Sequence, residues 1–353
     1  MFLALKEIKH EKLRYSMIIA MIVLISYLIF ILTSLALGLA HENTAAIESW
    51  NAKSALLNKS SDLNLRQSLL TQAQVDKFTN NKNNAVIAET TVVTTAKNAK
   101  KTSATLVGIN KNEFIAQNMK LSAGKKATNN DEIVLDDSFK NNGYKLNQKI
   151  RLNDSDKKYR IVGFTKNAKL NISPIVYTSV DNWRTFRGMA QSFGGSAIVS
   201  KASSIKNNDK TLKSYPISQI IEKLPGYSAQ NSTFVFMIGF LMIISLIIIG
   251  VFLYIITIQK LGNYAVLRAQ GISANVLVKA TISESFILTV SGLLIGIILT
   301  ALTALALPAA VPMTFDIPLM SAVSVGLLVM SMLGSLIPTR VVLKVDPVSV
   351  IGG

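Results

Sequence analysis

The chain has no cysteine, and only two of its 353 residues, His10 and His41, are histidine. Without thiols, neither a disulfide frame nor a thiolate metal site can form. Two histidines so far apart give no basis for histidine-centred catalysis, and neither an HExxH run nor a GxSxG elbow occurs. The phosphate-cradling pattern GxxxxGK followed by Ser or Thr is missing as well. Any ATP energy must therefore come from a partner. Acidic residues are scarce too, 20 against 37 Lys and Arg, for a net charge of +17. Such a balance invites a nucleic-acid reading, but the lysines are scattered singly among Asn, Ser and Thr with no aromatic platform between them, so no nucleic-acid partner is expected. A solvated exported surface facing anionic polymers or lipid headgroups accounts for the charge.

Apolar sequence is what the chain has in abundance, half of all residues being hydrophobic. Four uncharged stretches, Tyr15–Ala40, Thr233–Ile258, Ser285–Leu307 and Ile317–Thr339, each reach the roughly 20 residues that cross about 30 Å of hydrocarbon as a helix. Lipid offers no partner to an open backbone group, so these must be helices. The first is longer than the h-region of a signal peptide and lacks a strong cleavage site, which predicts a retained span. Between the first and second stretches lies a polar block, residues 41–232, with 28 Lys and Arg against 15 Asp and Glu.

Short flanks set orientation, because large loops translocate whatever their charge. Lys6, Lys9, Lys12 and Arg14 precede the first span; Lys260, Arg268 and Lys279 lie between the second and third; Arg340 and Lys344 follow the fourth. The connector PAAVPMTFDIP carries no Lys or Arg. Both termini are therefore expected inside the cell, with residues 41–232 outside. The expected organisation is an amphipathic helix at 1–14, spans at 15–40, 233–258, 281–307 and 317–339, an extracellular domain at 41–232, a coupling segment at 259–280, an external loop at 308–316 and a tail at 340–353.

Within the large block, HENTAAIESWNAKSALLNKS reads as a helix continuing from the first span, and SLLTQAQVDKFTN as a short second helix. The runs NAVIAETTVVTTAK, ATLVGIN, EIVLDDSF, QKIRL, YRIVGFT, SPIVYTSVDNWRTF and GSAIVS have the alternation and β-branched content of strands. The fold expected is a membrane protein with four transmembrane α-helices, arranged one plus three, and a large extracellular α+β domain between helices one and two.

The segment KLGNYAVLRAQGIS, Lys260–Ser273, resembles the coupling segment of FtsX/MacB-type (type VII) ABC transporter permeases, whose pattern is approximately acidic-Ile-Gly-x-Leu-Arg-Ala-x-Gly. Leu267, Arg268, Ala269 and Gly271 match it in register; Gly262 stands for its first glycine three residues further upstream, preceded by Leu261 and not by an acid. The opening LALKEIKHEKLRYSMI and the closing PTRVVLKVDPVSVIGG are similar to the family's termini. The resemblance implies a non-catalytic homodimeric permease working with two cytoplasmic ABC ATPase subunits. Lys260, Gly262, Leu267, Arg268, Ala269 and Gly271 would then transmit ATPase motion. Amphipathicity alone also allows an ordinary interfacial helix.

Within the family, the LALKEI opening and GLAHENTAAIESW at the outer end of span one are similar to the haem-efflux permease of haem-regulated transporters, and the lack of cysteine in an exported domain fits a Gram-positive source. That likeness implies haem as a transported ligand and no resident cofactor. Small residues Gly38, Leu39 and Ala40 are followed by His41, Glu42 and Glu48, and Tyr177 and Tyr227 are further candidates to bind ferric haem, which accepts histidine, carboxylate or tyrosinate. Plainer readings stand beside each: a polar helix exit for His41 and Glu42, a strand core for Tyr177, an interfacial aromatic for Tyr227. The same scaffold also suits export of an antimicrobial peptide or antibiotic, or FtsX-like control of cell-wall hydrolases.

Gly292 and Gly296, spaced GxxxG, permit close helix approach. Glu284 is expected at headgroup level, facing Arg268 or Lys279.

Overall fold

The structure, a computed structural model, describes residues 2–308 and 311–344. The last nine residues of the family-like tail lie outside the described residues. Two compact units emerge, residues 1–38 with 231–353, and residues 39–230.

The first unit is helical. It holds α1 (Phe2–His10) and the long α2 (Lys12–Ser49), whose first part, up to residue 38, belongs here. Among the described residues, four helices are long and apolar enough to cross a membrane. Their packing follows small residues. A Cβ on Gly292 would come within 2.4 Å of Ile22 Cγ2, and one on Gly296 within 2.4 Å of Ser26 Oγ, so the GxxxG stripe seats α2 within this chain. The Ser26 hydroxyl donates to the Gly292 carbonyl at 3.4 Å across the same seam. A Cβ on Gly38 would collide with the Pro312 carbonyl, which is why the connector packs against α2 at that glycine.

The second unit is an α+β domain. In chain order it runs through β1 (Ser54–Asn58), β2 (Leu70–Thr71), α3 (Gln72–Thr79), β3 (Asn84–Thr95), β4 (Thr102–Ile109), α4 (Phe114–Asn118), β5 (Leu121–Gly124), β6 (Glu132–Asp136) and α5 (Ser138–Asn141). It continues with β7 (Lys149–Leu152), β8 (Lys158–Thr165), β9 (Lys169–Leu170), β10 (Ser173–Ser179), α6 (Val180–Arg187), β11 (Phe193–Gly195), β12 (Ala197–Ser200), β13 (Leu212–Pro216) and α7 (Ile217–Glu222). The main sheet has the order β13-β1-β12-β3-β4-β10-β6-β8-β5, with β7 pairing β3 and β8 and β9 pairing β10. The parallel pairs are β4 with β10 and β6 with β8.

Successive strand residues point to opposite faces, so one sheet builds two cores. Leu56, Val86 and Ala88 pack with Trp183 of α6 on one face. Ala55, Leu57, Ala85 and Ile87 pack with Ala46, Ile47 and Trp50 of α2 on the other.

Two expectations need correction. The helix expected to run on through SALLNKS stops at Ser49, Asn51 turning the chain at φ +53°, and Ser54–Asn58 becomes a strand between β12 and β13. Its residues are buried on both faces, which a single-faced helix could not satisfy. Likewise SPIVYTSVDNWRTF is a strand only to Ser179, whose hydroxyl caps α6 by accepting the Asn182 N–H. Gly188, at φ +65°, ends that helix.

The remaining helices return to the first unit: α8 (Tyr227–Gln259), α9 (Leu261–Ala269), α10 (Ala274–Ala306), α11 (Ile317–Gly334) and α12 (Leu336–Leu343). The fourth expected span is thus two helices that break at Ser335.

Candidate functional site

Two places carry the candidate residues, and they lie in different units. In the second unit, the outer turns of α2 present His41, Thr44 and Glu48 at helical spacing on one face. His41 Nδ1 is 3.5 Å from Glu48 Oε2, and the Thr44 hydroxyl donates to Glu48 Oε1 at 2.6 Å. The Glu48 carboxylate also bears electrostatically on the hydroxyl of Tyr227, at the start of α8, as does Glu222. An imidazole and a carboxylate are therefore paired, both partly open to solvent, and the carboxylate charge reaches the Tyr227 phenol.

Glu42 and Tyr177 are not part of this group. Glu42 follows His41 by one residue and so faces away, where it forms an ion pair with Lys169 of β9. Tyr177 lies in the strand core, where its hydroxyl accepts the Trp50 indole N–H at 3.0 Å. Burial pushes that hydroxyl up to about 12, so it stays protonated and is no ready ligand. Thr44 and Lys169 escaped the sequence reading. Thr44 had a signal, its spacing of four from Glu48; Lys169 had none, being 127 residues from its partner.

In the first unit, the segment between the second and third apolar helices folds as α9. Gly271 adopts φ +90°, a left-handed conformation that glycine reaches at least cost, and its N–H and that of Ile272 satisfy the Arg268 and Leu267 carbonyls. The glycine of the motif is thus a helix stop. Gly262 has open space where a side chain would be. Tyr264 and Ala265 turn inward, Tyr264 packing with Leu277 and Val342, while Val266, Ala269 and Gln270 face out.

Lys260 does not project outward. It is 3% exposed, and its ammonium donates to Glu7 of α1 at 2.6 Å, to Glu284 of α10 at 3.3 Å and to the Tyr15 hydroxyl of α2. Glu284 thus takes Lys260 as partner, not Arg268 or Lys279. One cation ties four helices together at the foot of the coupling helix.

Among the described residues, no group of three or more His, Asp or Glu is arranged to hold a metal ion. Residues 16–212 match the model of the MacB-like periplasmic core domain, and residues 235–347 that of the FtsX-like permease C-terminal. The chain belongs to the FtsX/MacB-type permeases. It is a multi-pass membrane protein with a periplasmic or extracellular domain, a non-catalytic subunit of an ABC transporter; FtsX-like permeases pair with an ABC ATPase.

Full-length relatives include proteins of Staphylococcus epidermidis, 25% identical, and Staphylococcus haemolyticus, 24% identical, over all of this chain and 99% of theirs. Both are provisionally named hemin transport system permease protein HrtB. Among solved structures, the periplasmic region of MacB from Actinobacillus actinomycetemcomitans is 17% identical and covers 49% of this chain and 93% of that one, with a TM-score of 0.37.

Proposed function

We propose that this permease extrudes haem, working as a homodimer with two cytoplasmic ATPase subunits, its termini inside the cell and residues 41–232 outside. The pairing of His41 with Glu48 at the outer end of α2, with the Glu48 charge bearing on Tyr227, supports this reading. Each of the three is a side chain of a kind that ligates ferric haem. His41 and Glu48 follow the uncharged run of α2, which ends at Ala40, so a flat apolar macrocycle leaving the lipid tails along that helix would meet them next. The names of the full-length staphylococcal relatives support the same substrate.

Energy would enter at α9. Its outward residues Gly262, Val266 and Ala269 form the face offered to the ATPase, and Arg268 flanks it. Lys260 belongs to the same device from inside, passing movement of α9 to α1, α2 and α10. Haem is cargo here and leaves with each cycle.

The reading is tested by visible absorption titration of the purified protein with hemin, comparing His41→Ala, Glu48→Ala and Tyr227→Phe with Glu42→Ala and Tyr177→Phe. The expected result is a saturable, near-stoichiometric Soret shift, weakened in at least one of the first three variants and kept in the last two. A spectrum equal to hemin in detergent alone would refute it and favour peptide export or hydrolase control.

A further inference from the structure

The turn joining β9 to β10 goes against its own local chemistry. Ser173 pairs with Leu170, leaving Asn171 and Ile172 as a two-residue connection with φ of +51° and +68°. Hairpin turns with both central residues left-handed favour Asn followed by Gly. A β-branched residue in the second place is strained. The strain is not repaid by internal packing, because Ile172 is 50% exposed.

A second observation fixes where this side chain is held. Both turn amides donate to carbonyls of α2, Asn171 N–H to Asn43 at 3.0 Å and Ile172 N–H to Glu42 at 3.1 Å, and Lys169 pairs with the Glu42 carboxylate. The uncharged run of α2 ends at Ala40. Two or three residues further along a helix is about 3–5 Å. The turn is therefore pinned within one helical turn of the end of the uncharged run of α2, where hydrocarbon is expected to give way to headgroups.

We propose that the Asn171–Ile172 turn is a membrane-contacting wedge: Ile172 enters the outer boundary of a phospholipid bilayer next to the exit of α2, with Lys169 at headgroup depth. Burial of an isoleucine in lipid returns what the left-handed backbone costs, which explains why an exposed isoleucine occupies a glycine position. The wedge braces the external domain against the bilayer at the height of His41 and Glu48. It depends on neither haem nor the ATPase.

Because the chain has no cysteine, Ile172→Cys gives a single labelling site, and Asp156→Cys, in the loop between β7 and β8 at the far end of β8, gives a control. Each variant of the full chain is spin-labelled in phosphatidylcholine and phosphatidylglycerol nanodiscs and power-saturated with oxygen and with a water-soluble nickel chelate. The expected result is a label at 172 more accessible to oxygen than to nickel, and the reverse at 156. Nickel accessibility at 172 equal to that at 156 would overturn the proposal. So would protection from both reagents, which would mean contact with protein. A membrane-impermeant maleimide provides an independent readout: Ile172→Cys should react in detergent and lose most of that reactivity in proteoliposomes. Equal reactivity in both would overturn the wedge.

Discussion

Replacing Lys260 with methionine keeps the volume of the side chain and removes the cation from a buried set of four polar groups. Lys260 lies 2.6 Å from Glu7 and 3.3 Å from Glu284, so the variant leaves the Glu7 carboxylate without its counter-ion and the Glu284 carboxyl group without its ammonium partner. Removing one partner of a buried ion pair costs about 3–5 kcal/mol. In a unit of this size each kcal/mol lowers the unfolding midpoint by about 2–4 °C, so a drop on the order of 10 °C is expected. Glu284→Gln is the internal comparison. It leaves Lys260 its closer partner Glu7 and should cost about 1 kcal/mol.

The pH dependence gives a further check on the same site. Burial pushes the Glu7 carboxyl up, but hydrogen bonds with Glu284 and Lys260 and the charge of Lys260 outweigh it, so the group is held below its ordinary range. A carboxyl depressed on folding contributes stability above its unfolded value, and that stability is lost as pH falls through the folded value. Wild type should show this acid loss and Lys260→Met should show less of it, because the Lys260 share of the depression is gone. The assay is thermal unfolding of the detergent-purified chain, followed by loss of the monodisperse peak in size exclusion, across acid to neutral pH. If Lys260→Met melted with wild type, or no lower than Glu284→Gln, the account of the four-helix tie would be wrong.

Other predictions follow from single contacts. Gly292→Leu should force α2 and α10 apart at Ile22 and cost about 1–3 kcal/mol, read in the same unfolding assay. Glu132 accepts the Thr128 N–H and hydroxyl, both at 2.9 Å, and these bonds, with the nearby Lys125 ammonium, hold it at about 2 against its burial. Being depressed on folding, it stabilises the domain above its ordinary value and loses that contribution between about pH 4.5 and 2, so Glu132→Gln should cost about 2 kcal/mol at neutral pH and flatten the acid limb. Ala269→Glu should leave insertion and folding intact while uncoupling ATP hydrolysis from export, measured as ATPase activity against haem release in proteoliposomes.

Much of this fold was legible because lipid and sheet both impose simple periods. The four spans stand out since no charge interrupts them, and β3, β4 and β8 are runs of eight or more residues with β-branched side chains throughout. The strands β1 and β13 were missed for a physical reason. SALLN is buried on both faces and has no alternation, and LKSYP is short and half exposed, so only their pairing with each other and with β12 makes them strands.

At the candidate site, helical spacing alone puts His41 and Glu48 together and turns Glu42 away. Nothing local announces that Lys169 takes Glu42, that Tyr177 caps Trp50 inside the core, or that Lys260 is an internal tie. Those are contacts between residues more than 100 positions apart, and the chain becomes explicit about them only once folded. The left-handed Ile172 was equally silent, because a turn of Asn and Ile carries no glycine to signal it.

The central claim is that ATP-driven movement at α9 removes haem from a site at the outer end of α2. Its most direct test is the amount of haem retained by hemin-loaded cells that produce this permease together with its ATPase. The account predicts low retention with wild type, high retention with either Ala269→Glu or the triple variant His41→Ala, Glu48→Ala, Tyr227→Phe, and low retention with Tyr177→Phe. Equal haem in wild type and both disabled forms would contradict it.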